Sequence, residues 1–231
     1  MVSRCFVLRA IVMEYNNFQD RVTGDLARRK KELIDLKQLV QFTQNEDAKD
    51  ILRRAILPLQ YAHWEGFIKF LGVAVLNYIS DMHIKYVDLL PTFSAIGIYR
   101  ALRSSVPESD LGRTMLLMRF VSGHFREDLE NELFDLSNCQ EWVDTKSNLN
   151  KKVLEELLFL FGIRLSEIRN NEHIENNWLD VFLGRRNKIA HGGLDKVGQD
   201  DFEESADRIV ALLDLFSGVF LDYVEHRRFL R

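Results

Sequence analysis

The run FEESADRIVALLDLFSGVFLDY, Phe202 to Tyr223, decides the fold. Phe202, Ala206, Ile209, Leu213, Phe216, Phe220 and Tyr223 step by four, three, four, three, four and three. That is the period of a helix packed lengthwise against other helices. The same period recurs upstream. Residues 14–43 carry Leu33, Leu36, Val40 and Thr43 at spacings of three and four and predict a long amphipathic helix. Asn45-Glu46-Asp47 supplies a break and the start of a second helix over about 48–79, with Pro58 inside it predicting a kink or a restart. Pro91, Pro107 and Ser104-Ser105 mark loops around a short helix near 94–102. Further helices fit 111–136, 151–161 ahead of Gly162, and 176–191, the last stopped by Gly192-Gly193.

Composition agrees. Three prolines and twelve glycines in 231 residues are too few for an all-β fold, which needs many turns. The expected architecture is a single all-α domain over 13–231, a helical bundle with an irregular insertion in its middle, preceded by an extension over 1–12. With 46% hydrophobic and 29% charged residues the chain reads as an ordinary globule. A net charge of −4 excludes a polybasic nucleic-acid binder, so any such contact must come from a local patch. Arg9 interrupts the apolar run Cys5–Met13, and Phe70–Leu76 is too short to span a bilayer, so no targeting or membrane segment is expected. Cys5 and Cys139 match no metal spacing and no disulfide framework, which points to the reducing cytoplasm.

The six histidines form no HExxH pair and no Cys/His cluster, and His173 with Glu175 reads as a solvated loop. No metal or cofactor site is expected. No phosphate loop, nucleophile elbow or dinucleotide fingerprint is present, which excludes the NTPase, dehydrogenase and serine hydrolase readings that depend on them.

The stretch that stands apart is Leu183-Gly-Arg185-Arg186-Asn187-Lys188-Ile-Ala-His191-Gly192-Gly193. Asn187 and His191, four apart, share a helix face, and the long Arg186 side chain can swing toward it. The glycine pair places His191 in the last turn, where the helix dipole favours imidazolium. A histidine able to hold and release a proton, beside a guanidinium and an amide, suits chemistry at a phosphodiester. Arg185 and Lys188 flank it as a local cationic surface for RNA. A second Arg-x4-His, Arg119 to His124, has mostly apolar or small intervening residues and no glycine behind the histidine, and reads as a structural or surface feature.

Arg186-Asn-Lys-Ile-Ala-His191-Gly192 resembles the signature of the HEPN superfamily, in which Arg-x4–6-His with a polar residue after Arg marks a ribonuclease site. Tyr61-Ala-His63-Trp64-Glu65-Gly66-Phe67-Ile68-Lys69 resembles the start of the branch called MAE-type HEPN-like nucleases. The resemblance implies a bundle that dimerises and brings two motifs into one cleft. It implies metal-independent RNA cleavage by the ribose 2′-hydroxyl, with His191 as acid/base, Arg186 as phosphate and transition-state stabiliser, and Asn187 as the orienting residue. A toxin or anti-phage effector, with an antitoxin or defence-system partner, is the implied setting. Some toxin members carry a modifiable Tyr two residues beyond the His; this chain has Gly193 there.

Arg54, Tyr61 and Glu65 fall within about 40° on one helix face and read as a hydrogen-bond network or as support for the site. Trp64, Phe67, Ile68 and Leu71 read as core. Arg28-Arg29-Lys30-Lys31, amid Asp25, Glu32 and Asp35, reads as a solvated face. Two readings compete with the nuclease: a HEPN-like module that binds RNA, nucleotide or protein without cleaving, and an adaptor in which Arg186 and His191 only pair with carboxylates.

Overall fold

A computed structural model describes residues 2–104, 109–124, 127, 130–136, 138–169, 174 and 177–231, with the backbone alone for 2–13, 101–104, 116, 117 and 119–121. Among the described residues there are seven α-helices and no strands beyond two isolated bridges, Lys85 with Leu133 and Leu89 with Leu230. The helices are α1 (Val2–Phe42), α2 (Glu46–Asp81), α3 (Pro91–Ser104), α4 (Asp110–Val121), α5 (Lys151–Leu160), α6 (Trp178–Ala190) and α7 (Gln199–Glu225).

The bundle is α1, α2 and α7 packed on one another, with α6 laid against α2. Ion pairs from Lys30 to Asp214 (2.7 Å) and from Lys37 to Asp207 (3.0 Å) show α1 running antiparallel to α7. The periodic face of α7 is buried along its length, from Phe202 through Ile209, Leu213, Phe216 and Phe220 to Tyr223. It meets Trp64 of α2 edge-on through Phe216, with ring centroids 5.3 Å apart. Trp64, Phe67, Ile68 and Leu71 are all core.

The helix starts obey local chemistry. Asn45 caps α2 by accepting the Ala48 amide at 2.9 Å, and Asn150 caps α5 by accepting that of Val153 at 2.9 Å. Pro91 opens α3 at the position where its missing N–H costs nothing. Pro58 does not restart α2, which continues to Asp81; buried Ile56, Leu57, Gln60 and Tyr61 on both sides of it hold the helix in place.

Two expectations need correction. Helix α1 begins at Val2, well before Glu14, and no Pro or Gly occurs before Gly24. The helix expected over 111–136 ends at Val121. Gly123 adopts φ +83° there, and the chain returns to hydrogen-bond residues 84–86, with Phe134 N donating to Ile84 O at 2.7 Å and Tyr86 N to Glu132 O at 3.1 Å.

Along α1 the seam Phe18, Val22, Leu26, Arg29, Leu33, Leu36, Val40 has helical spacing, yet Arg29 occupies one of its positions. Its guanidinium donates to His63 O at 3.2 Å and lies 5.8 Å from the Phe67 ring centroid. Gly66 makes the room: a Cβ there would stand 3.0 Å from Arg29 Nη1. The middle insertion is tied to the bundle by aromatic contacts, Phe93 with Phe134 and Phe161, and Phe161 with Phe220. An apolar groove of about 550 Å³, lined by Ile96, Tyr99, Trp142, Leu157 and Phe159 among others, lies between α3 and α5 and contains none of the site side chains described next.

Candidate active site

Helix α6 buries Leu179, Phe182 and Leu183, and Arg186 follows one turn later on the same stripe. This register turns Arg186 inward toward α2. Its guanidinium lies 4.3 Å from the centroid of the Tyr61 ring and its Nη2 3.6 Å from Glu65 Oε2, with only 22% of the side chain exposed. Glu65 also accepts the Thr145 hydroxyl, and the Tyr61 hydroxyl accepts the Leu149 amide. Burial, with the Glu65 carboxylate beside it, pushes the Tyr61 phenol well above its ordinary value. Tyr61 is therefore a neutral platform.

Asn187 links this inner cluster to the rim. Its Oδ1 accepts from Arg186 Nη1 at 2.8 Å, and its Nδ2 donates to Asn148 Oδ1 at 3.3 Å. His191 is the C-cap of α6, with its backbone amide bonded to Asn187 O and its side chain exposed. It is five positions beyond Arg186, so the two directions differ by about 140° on an ideal helix. No hydrogen bond or ion pair joins the His191 ring to another described residue. Within one chain Arg186 and Asn187 are brought together by a hydrogen bond, and the His191 imidazole is bonded to neither.

The helix ends in a Schellman motif. Gly193 N donates to Lys188 O at 2.8 Å and Gly192 N to Ile189 O at 3.0 Å, with Gly192 at φ +82°. A Cβ at Gly193 would stand 2.8 Å from Lys188 O. Both glycines are thus required, one for its dihedral and one for close approach.

The flanking cations divide. Lys188 is exposed and forms no ion pair with a described residue. Arg185 is engaged, donating to Asp195 (3.1 Å), Asp201 (3.2 Å) and Lys196 O (2.9 Å), and so fastens the α6–α7 connection. Arg54 is half-buried on α2 and makes no hydrogen bond or ion pair with a described residue, so it does not join Tyr61 and Glu65. The α1 cluster is paired throughout: Arg28 and Arg29 with Asp25, Lys30 with Asp214, Lys31 with Asp35. In the second Arg-x4-His, His124 contacts the Ser122 hydroxyl beyond the end of α4, and the Arg119 side chain lies outside the described residues, as do His173 and Glu175.

Comparison with known families gives one match: the RiboL-PSP-HEPN family model covers residues 25–222. The chain belongs to the RiboL-PSP-HEPN family. No curated protein and no solved structure matches it. The superfamily expected from the two motifs is thereby shown, and the match does not extend to the MAE-type branch. In this RiboL-PSP-HEPN chain the matched span takes in every residue of the Arg186 cluster, the His191 cap and the Asn148 loop.

Thr145 and Asn148 have no counterpart among the residues singled out by spacing. Asp144-Thr-Lys-Ser-Asn-Leu-Asn150 reads as a polar connection. Its nearness to α6 depends on the loop lying against α2 and α6 at once, which no local pattern encodes.

Proposed function

We propose that this chain is a metal-independent endoribonuclease whose active site is completed by a second copy of itself. The observation that carries the reading is the Arg186–Asn187 pair, held against Tyr61 and Glu65, at the end of a helix whose glycine-terminated cap leaves His191 exposed. In the reaction the 2′-oxygen of one ribose attacks the adjacent phosphorus while the P–O5′ bond breaks. One His191 takes the 2′-hydroxyl proton, and His191 of the second copy gives a proton to the departing 5′-oxygen. The products are a 2′,3′-cyclic phosphate and a 5′-hydroxyl. Arg186 stabilises the charge developing on the phosphoryl oxygens, and Asn187 orients them. A single imidazole facing solvent has no partner for the second proton transfer, so a two-fold pair of motifs supplies both acid and base.

Tyr61 and Glu65 fix the Arg186 guanidinium in this account, and Lys188, together with Arg185, attracts the RNA backbone. Arg54, on the same helix face but bonded to neither Tyr61 nor Glu65, is proposed to act on the site only through its charge. The biological setting proposed is a cytoplasmic toxin or anti-phage effector, held in check by an antitoxin or a defence-system partner. One observation favours a competing reading. Arg186 already has a carboxylate partner in Glu65, the pairing expected of the adaptor reading. Incubation of purified protein with mixed RNAs in EDTA, beside a His191→Ala control, separates the readings. Cleavage by the wild type alone supports the nuclease, RNA binding without cleavage supports the binding module, and neither cleavage nor binding supports the adaptor.

A further inference from the structure

Residues 144–150 form a loop fastened beside the Arg186 cluster, and its exposed tip is not accounted for by any role above. Buried Thr145 and Leu149 anchor its two ends to α2, through the hydroxyl bond to Glu65 and the amide bond to Tyr61. Lys146 is tied to Glu156 at the start of the tip, and Asn150 caps α5 behind it. Lys151 N donates to Asp180 at 3.1 Å, which joins the far end of the loop to α6. Between the anchors, Lys146 and Ser147 adopt φ +52° and +56°. Two successive non-glycine residues in the left-handed region are uncommon and persist only where the surroundings hold them.

This double turn presents Asn148. Its backbone is fixed on both sides, N donating to Thr145 O at 3.0 Å and O accepting from Asn150 N at 2.8 Å. Its side chain is exposed. Oδ1 accepts from Asn187 at 3.3 Å, which leaves both Nδ2 protons without a bond to any described group. A line of polar groups therefore runs from the Arg186 guanidinium through the Asn187 amide to the Asn148 amide, ending in two free donors on an immobilised backbone. An amide set beside a phosphate-binding arginine is the kind of group that reads a nucleobase edge. Sequence in RNA is read on unstacked, single-stranded bases whose edges are open to such contacts.

We propose that Asn148 contacts the base flanking the cleaved phosphodiester and sets the base preference of the site, favouring uracil or guanine, whose O4 or O6 accepts, over cytosine or adenine, whose N4 or N6 amino group stands at that position. The proposal rests on the nuclease reading for its substrate, and its test separates the two. A random-sequence single-stranded RNA pool is digested by wild type, Asn148→Ala and Asn148→Asp, and the bases beside each cut are counted by sequencing the ends. In parallel, His191→Ala with and without Asn148→Ala is titrated with labelled uridine, adenosine and cytidine decamers, with thermal melts as the folding control.

The wild type is expected to prefer one class of base by about fivefold to tenfold, a preference that Asn148→Ala abolishes. Asn148→Asp, which keeps the acceptor for Asn187 but replaces donors by an acceptor, is expected to move the preference toward cytosine and adenine. Loss of a merely structural contact would slow all cuts alike and leave the base frequencies unchanged. Unchanged frequencies in Asn148→Ala, or no base preference in the wild type, overturn the assignment while the nuclease stands. If the pool is not cleaved but the decamers bind with a preference that Asn148→Ala removes, the nuclease reading fails and the base contact remains. If the pool is not cleaved and the decamers do not bind, both fail.

Discussion

Replacing Arg186 and His191 by Ala, one at a time, separates two properties that the sequence alone places together. From spacing, both side chains are expected at a solvent-reachable surface where truncation costs no stability. The structure divides them. Arg186 is 22% exposed, stacked on Tyr61 and paired with Glu65, whereas His191 is exposed at the cap. A partly desolvated cation–π contact contributes about 1–2 kcal/mol, and an ion pair as long as this one, 3.6 Å, about 0.5–1 kcal/mol. Arg186→Ala should therefore destabilise by about 2 kcal/mol, which for a chain of this length lowers Tm by about 4–8 °C. His191→Ala should melt within about 1 °C of wild type, as surface substitutions do. In single-turnover cleavage of one RNA, each should lose about 10² to 10⁴ in rate. Asn187→Ala should fall between wild type and these two, while Arg119→Ala and His124→Ala should keep their rates. A double-mutant cycle between Arg186→Ala and Tyr61→Leu should return a coupling of about 1 kcal/mol. Zero coupling, or a His191→Ala variant that melts early, refutes the arrangement described. An active His191→Ala beside a dead His124→Ala would assign the chemistry to the other motif.

Burial holds the His63 imidazole below its ordinary value of 6.5, outweighing the attraction of Glu32 3.6 Å away. The unfolded chain thus binds this proton more readily, so His63 makes stability fall as pH drops below 6.5 toward its lowered folded value, and imposes no loss above. Denaturant melts of wild type between pH 5 and pH 7.5 should show that slope, and His63→Gln should flatten it. Gly192→Ala should cost about 1 kcal/mol through its φ of +82° and reduce cleavage by displacing the His191 cap, read in parallel by melting and rate. Light scattering at micromolar concentration should give twice the 27.1 kDa chain mass, and a monomer with undiminished activity would remove the second copy from the mechanism.

The parts of this molecule legible in the sequence are those that local periodicity encodes. The α7 stripe, the Asn45 and Gly192-Gly193 boundaries and the core role of Trp64 all follow from spacing and end signals, and each is found where expected. The site was legible in part. Arg186, Asn187 and His191 stand out by their order on one helix, and Tyr61 and Glu65 by their shared face. Two features were hidden because they depend on which way neighbouring elements turn. Arg185 and Arg186 are adjacent, yet one faces Asp195 and Asp201 and the other α2, a 100° difference that composition cannot show. Asn148 reaches Asn187 across 39 positions of chain, a contact fixed by tertiary packing alone.

Analysis of the RNA ends left by the purified protein in EDTA addresses the central claim most directly. The account predicts 2′,3′-cyclic phosphate and 5′-hydroxyl termini, no cleavage at 2′-deoxy positions, and loss of all product with His191→Ala. Termini bearing a 5′-phosphate and 3′-hydroxyl, cleavage of DNA, or no cleavage in EDTA with intact folding would contradict it.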